Sequence, residues 1–285
     1  MTLLLLACAT SPTDSDRPNH SDSAEDTAGE TAETGDSAAG DTGDSAGGET
    51  GDSGGDTGAD TGGDSGDDTG APAGTGGSGG PVGLGSGTIG AATYSWYVPA
   101  CAATAHPVAV VYTMHGSGGR GADMVSVWQS VAEANCFLVV GLDSESQNSW
   151  NFSGDVDNFS RLMTKIDGEY DIGWWYLHGY SAGAHWTYVI GLANSAYFSG
   201  IGVYAGTMSY AEEWGYWPDR TATPIPVAIA HGTNDTTVPY SHAEHAYAEL
   251  SAAGWPVDLY TIAGGTHAYD VSCEGRAWTF WRENL

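Results

Sequence analysis

From Thr88 onward the chain alternates two patterns of apolar residues. Short apolar runs with strand character occupy residues 94–98, 108–114, 137–142, 174–178, 201–204, 227–230 and 257–262. Longer stretches with helical spacing lie between most of them. In Val156, Phe159, Leu162, Met163 and Ile166 the apolar positions recur at steps of three and four, which lines up one helical face. Residues 240–253 read as another helix, ended by Gly254 and Pro256. Strands alternating with helices predict an α/β fold, with a mainly parallel sheet covered by helices on both faces. Such sheets carry their chemistry at the C-terminal ends of the strands.

Before residue 84 the pattern is absent. Residues 9–84 are almost entirely Asp, Glu, Ser, Thr, Gly, Ala and Pro, and Val82 is the first β-branched aliphatic residue after position 8. Such a stretch buries too little apolar surface to offset the entropy of ordering it, so a disordered acidic linker is expected at 9–84 and a folded domain at 85–285. Seventeen of the 36 acidic residues precede position 84, where Arg17 is the only base. The net charge of −29 is thus shared by both parts. Each part repels phosphate backbones and anionic membrane surfaces, which argues against a nucleic-acid partner. The Asp-Thr-Gly and Asp-Ser-Gly units of the linker lack the apolar position that a calcium-binding β-roll needs, so they read as a solvated spacer.

Three strand ends carry candidate chemistry. The run 174–178 leads into Gly179-Tyr180-Ser181-Ala182-Gly183, followed by helix-forming residues. A G-x-S-x-G between strand and helix is a turn so tight that side chains at its glycines would strike neighbouring backbone. It lifts the serine hydroxyl to the N-terminus of the next helix. The run 227–230 leads into HGTNDTTVP at 231–239, with Asp235 just beyond the strand, and the run 257–262 leads into Ala263 and GGTH, with His267 in the same place. A fourth motif, HGSGG at 115–119, follows the run 108–114 and suits the presentation of backbone N–H groups to an oxyanion. Asp143 and Asp270 are the other acids near strand ends.

Together HGSGG, GYSAG, HGTNDTTVP and GGTH resemble the α/β-hydrolase superfamily over about residues 88–285. More narrowly they resemble small secreted esterases related to polyhydroxybutyrate depolymerases, feruloyl esterases and acetylxylan esterases. The resemblance implies a serine esterase acting on carboxylic esters, small or polymer-linked, through an acyl-enzyme. A peptidase or other acyl hydrolase on the same fold, or a degenerate binding module, stays as the alternative. It implies Ser181 as nucleophile, His267 as base, Asp235 as its partner, and an oxyanion hole from the N–H groups of Ala182 and Ser117, with no metal or organic cofactor. Ala184 and His185, directly after the elbow, depart from the usual pattern.

In the hydrolase strand order, the antiparallel strand at 94–98 lies beside 137–142, which brings Cys101 to Cys136. A disulfide there suits an oxidising compartment and leaves Cys273 free or buried. His115 and His231 are expected to organise loops, and His242 and His245 to lie on a solvated helix face without a third metal ligand. Trp214, Tyr216 and Trp217 fall where this fold builds a substrate wall; they suit stacking on sugar or phenolic rings as well as plain packing. At the start, Leu5-Leu6-Ala7-Cys8 resembles a bacterial lipobox, although no basic residue precedes it. That resemblance implies a signal remnant at 1–8, a lipid anchor through Cys8 and an extracytoplasmic, surface-tethered or secreted protein.

Overall fold

The computed structural model describes residues 72–146, 148–220 and 223–285. The lipobox-like segment and most of the acidic linker lie outside the described residues. Eight strands form one sheet: β1 (Gly83–Ile89), β2 (Ala92–Val98), β3 (Val108–Met114), β4 (Leu138–Leu142), β5 (Ile172–Tyr180), β6 (Gly200–Tyr204), β7 (Val227–Gly232) and β8 (Val257–Ile262). Their order is β1-β2-β4-β3-β5-β6-β7-β8. β1 and β2 run antiparallel, β2 meets β4 antiparallel, and all other pairs are parallel. The helices are α1 (Gly121–Asn135), α2 (Gly154–Glu169), α3 (Ala182–Ala193), α4 (Ser209–Glu213), α5 (Ser241–Ala252) and α6 (Cys273–Glu283).

The two-residue period of the strands sorts their side chains between two cores. In β3, Val108, Val110, Tyr112 and Met114 face one core while Ala109 and Val111 face the other. The first core receives the apolar stripe of α2, with α3 and α5 through Trp186, Tyr188, Ala243 and Leu250. The second is closed by α1 and α6, where Trp128 stacks on Trp281 at 5.7 Å and Phe137 on Trp278 at 4.0 Å. Large side chains of this type contribute about 1.5–3 kcal/mol each on burial, so the layers fasten the sheet from both sides. Every element expected from the apolar pattern is present.

β1 is an element that the pattern did not predict, because three of its seven residues are glycine and one is serine, which leaves no apolar spacing. Its glycines answer its partner strand instead. A Cβ on Gly85 would sit 2.2 Å from the Trp96 indole and one on Gly87 2.8 Å from the Tyr94 hydroxyl, so the two side chains fill the space that a larger residue would need. Ordered contacts begin earlier still. Thr75 donates its N–H to Ile172 O at 3.1 Å and receives the Ile172 N–H on its hydroxyl at 2.9 Å, while the Tyr170 hydroxyl donates to Pro81 O at 2.7 Å. The start expected at residue 85 therefore cuts into a strand and leaves out a strap.

A disulfide joins Cys101 to Cys136, and Cys273 is buried with its thiol free. Among the described residues no helix is long and apolar enough to cross a membrane.

Candidate active site

The turn after β5 places Ser181 at φ 51°, ψ −118°, a conformation costly for a residue with a Cβ. Close approach of backbone explains the flanking glycines. A Cβ on Gly179 would lie 2.3 Å from Gly183 O, and one on Gly183 would lie 2.3 Å from Met114 O. Ala184 stands where a further glycine is common, and its own Cβ is accommodated by Gly206, whose Cβ would meet it at 2.5 Å. Ser181 N–H is held by Tyr204 O at 2.9 Å, which ties the elbow to β6.

From this serine a continuous chain of hydrogen bonds runs across three strand ends. Ser181 Oγ lies 2.8 Å from His267 Nε2, and His267 Nδ1 lies 2.7 Å from Asp235 Oδ2. A carboxylate can only accept, so Nδ1 carries the proton and Nε2 faces the serine with a lone pair. Asp235 is itself fastened by its own turn, its Oδ1 accepting the N–H groups of Thr237 at 2.8 Å and Val238 at 2.9 Å. Burial works to raise its pKa, but the His267 and backbone hydrogen bonds outweigh it and hold the carboxyl below its usual range.

The other acids are committed elsewhere. Asp143 receives the Gly121 N–H at 2.6 Å and the Thr93 hydroxyl, and Asp270 receives the Ser272 N–H at 3.0 Å at the start of α6.

The histidine's loop is held from below by tyrosines. Tyr180 donates to His267 O and Tyr204 to Ala268 O at 2.7 Å, while Tyr269 lies 3.4 Å from His178 Nε2. His178 is fully buried, which depresses its pKa to about 3. Beside this cluster Glu274 is wholly buried next to Tyr269, and burial lifts its pKa to about 7. Neither Tyr269 nor Glu274 was legible in advance, since a tyrosine and a glutamate near a helix start carry no distinctive spacing.

Around Ser181 opens a cleft of about 420 Å³ whose lining includes Ser117, Trp150, Phe152, Ala182, His185 and Trp186. Ala182 opens α3, so its N–H has no intrahelical acceptor. In HGSGG, Gly118 adopts φ 79° and Gly119 N–H returns to Gly116 O at 3.0 Å, a tight turn that packs Gly116 on Tyr180 and Ser181. His115 stabilises this turn as expected. Its Nε2 accepts the Ser144 N–H at 3.1 Å, leaving Nδ1 to donate to Gly116 O at 2.8 Å. His231, likewise buried, bonds Val238 O at 2.8 Å behind Asp235. His242 meets the Thr207 hydroxyl at 2.9 Å and His245 meets Glu212 at 2.7 Å, so both join α5 to the α4 region.

The expected aromatic wall divides. Trp214 packs at a tilt on Phe152, ring centres 4.1 Å apart, beside the cleft, whereas Tyr216 and Trp217 line a separate hollow with Asn194 and Arg220. Gly215, at φ 83°, turns the chain between them and sends the rings to different sides. The aromatic lining of the cleft comes instead from Trp150 and Phe152, in the segment after β4, with Trp186 on α3 and Tyr210 on α4. The segment after β4 lacks apolar periodicity, so nothing in its pattern pointed to a wall.

Three solved structures overlay on the chain. Esterase PE8 covers 72% of this chain and 100% of its own at TM-score 0.53 and 19% identity. A CE1 ferulic acid esterase from Anaeromyces mucronatus covers 70% and 90% at TM-score 0.55 and 16% identity. The fold is that of an α/β-hydrolase. A truncated carbohydrate esterase from gut microbiota shares this α/β-hydrolase fold over 75% of this chain and 98% of its own, at TM-score 0.56 and 16% identity. Residues 162–280, from α2 to α6, match the family model of phospholipases and carboxylesterases. No curated protein matches the sequence.

Proposed function

We propose that this α/β-hydrolase is a serine esterase that cleaves carboxylic esters through an acyl-enzyme, with Ser181, His267 and Asp235 as its catalytic residues. The observation that carries the reading is the unbroken Ser181–His267–Asp235 relay at 2.8 and 2.7 Å. The match of residues 162–280 to phospholipases and carboxylesterases supports ester cleavage in particular. Ser181 Oγ attacks the carbonyl carbon as its proton passes to His267 Nε2, and Asp235 stabilises the imidazolium formed. The tetrahedral oxyanion lies against the N–H groups of Ala182 and Ser117, and its collapse breaks the C–O bond while the histidine returns the proton to the leaving alcohol. Water then repeats the sequence on the acyl-serine.

Esters carried on a polysaccharide or other polymer belong to the same reading, supported by the partly exposed Trp214 ring beside the cleft. The Cys101–Cys136 bridge favours an oxidising, extracytoplasmic setting. A fluorophosphonate probe labels the wild-type protein at Ser181. Ser181→Ala loses both labelling and hydrolysis, turnover falling on the order of 10⁴-fold or more. Near-normal hydrolysis by Ser181→Ala overturns the assignment.

A further inference from the structure

His185 follows the elbow where the sequence departs from its relatives' pattern, and the relay makes no use of it. It sits one helical turn beyond Ser181 on α3 and lines the same cleft. Its Nδ1 lies 2.8 Å from the Thr207 backbone nitrogen. A backbone N–H can only donate, so Nδ1 is the acceptor and the proton of the neutral ring resides on Nε2.

Two further facts keep it there. Desolvation of the half-buried ring, with the nearby imidazoles of His242, His267 and His231, lowers its pKa to about 4, so the ring stays neutral over the working range of an esterase. Its orientation is set by the Thr207 contact and by the Tyr210 ring 5.2 Å away. Among the described residues Nε2 has no hydrogen-bond partner, and it is not buried away from solvent.

The surroundings are of the opposite character. Trp150 stacks on Trp186 at 4.9 Å, and Phe152 packs beside them. The cleft therefore combines flat apolar walls with one donor of fixed tautomer. An acyl group that fills it without offering an acceptor strips water from Nε2–H and returns nothing.

Resting on Ser181 as the nucleophile, we propose that His185 is a specificity-determining residue whose Nε2–H selects ring-bearing acyl groups with an acceptor oxygen on the edge away from the scissile carbonyl. The His185 backbone N–H donates to Ser181 O at 3.1 Å, which fixes the ring one turn from the nucleophile, and both residues line the one cleft.

The test compares two esters of one shape, p-nitrophenyl tetrahydropyran-4-carboxylate and p-nitrophenyl cyclohexanecarboxylate, which differ by a ring oxygen in place of a methylene. The wild-type protein prefers the pyran ester in kcat/KM by about tenfold or more, the scale of one hydrogen bond made against one left unmade. In His185→Phe the preference collapses towards unity. In His185→Gln, whose amide can accept from Thr207 and still donate, most of it returns. Fluorophosphonate labelling of each variant reports that the fold and nucleophile are intact. Equal rates on the two esters in the wild type overturn the proposal, as does a preference that survives in His185→Phe. Labelled wild-type protein that turns over neither ester also sinks it while leaving the nucleophile standing; absence of labelling would instead count against the function reading.

Discussion

The two loops that bring Asp235 and His267 together are built on different principles. Asp235 is held by its own turn, through the N–H groups of Thr237 and Val238 two and three residues on, so its geometry is largely local. His267 is held by Tyr180 and Tyr204, 87 and 64 residues away from the carbonyls they bind, and by the polar cluster beneath Tyr269. Asp235 thus arrives with its strand end, whereas His267 depends on the finished sheet. A local device tolerates change elsewhere; a tertiary one transmits it.

Breaking the local side produces the largest effect. Asp235→Asn keeps the shape but removes the acceptor that holds the imidazole in its productive tautomer, so kcat should fall by roughly 10²-fold or more, towards the ~10⁴ of the serine protease case. Asp270→Asn, assayed beside it, should stay within a fewfold of wild type, because that carboxylate accepts the Ser272 N–H just before α6 and does not meet the histidine. A crippled Asp270→Asn beside a normal Asp235→Asn would exchange the two roles.

The ground under the histidine loop provides the second measurement. Burial raises the Glu274 pKa from 4.5 to about 7, so the folded state binds a proton there that the unfolded chain has already released. Its stability contribution is complete below the ordinary carboxylate range and is lost as pH rises through about 7. Denaturant unfolding should show a decline on the order of a few kcal/mol across that window, which Glu274→Gln flattens. An unchanged slope in Glu274→Gln would separate Glu274 from the pH dependence.

The smallest effect belongs to a single tyrosine. Tyr204→Phe deletes one hydrogen bond to Ala268 O, worth about 1 kcal/mol. It should lower kcat by less than about tenfold with KM little changed. A loss as large as that of Asp235→Asn would show that the loop cannot hold His267 with one tie missing.

What was legible in the sequence follows the same division. The seven apolar runs, the elbow at Ser181 and the positions of Asp235 and His267 could be read because each is a local pattern attached to a strand end. β1 could not, since its glycines are explained only by the Trp96 and Tyr94 rings lying against them. Trp214, Tyr216 and Trp217 are the expected lining because they fall where this fold builds a substrate wall. One glycine with positive φ sends two of those rings elsewhere, while Trp150 and Phe152 reach the cleft from a segment without periodicity. His115 was readable as a loop organiser, yet the tautomer that defines its work needed the Ser144 N–H to be located.

The strap at residues 75–81 holds the end of the sheet that lies far from the cleft. Thr75 pairs with Ile172, the first residue of β5, whereas Ser181 stands just past the last. Nine residues of strand separate them, about 30 Å. Pro72 lies against Gly173 at that same end of β5, so the strap and the cleft occupy opposite ends of one strand.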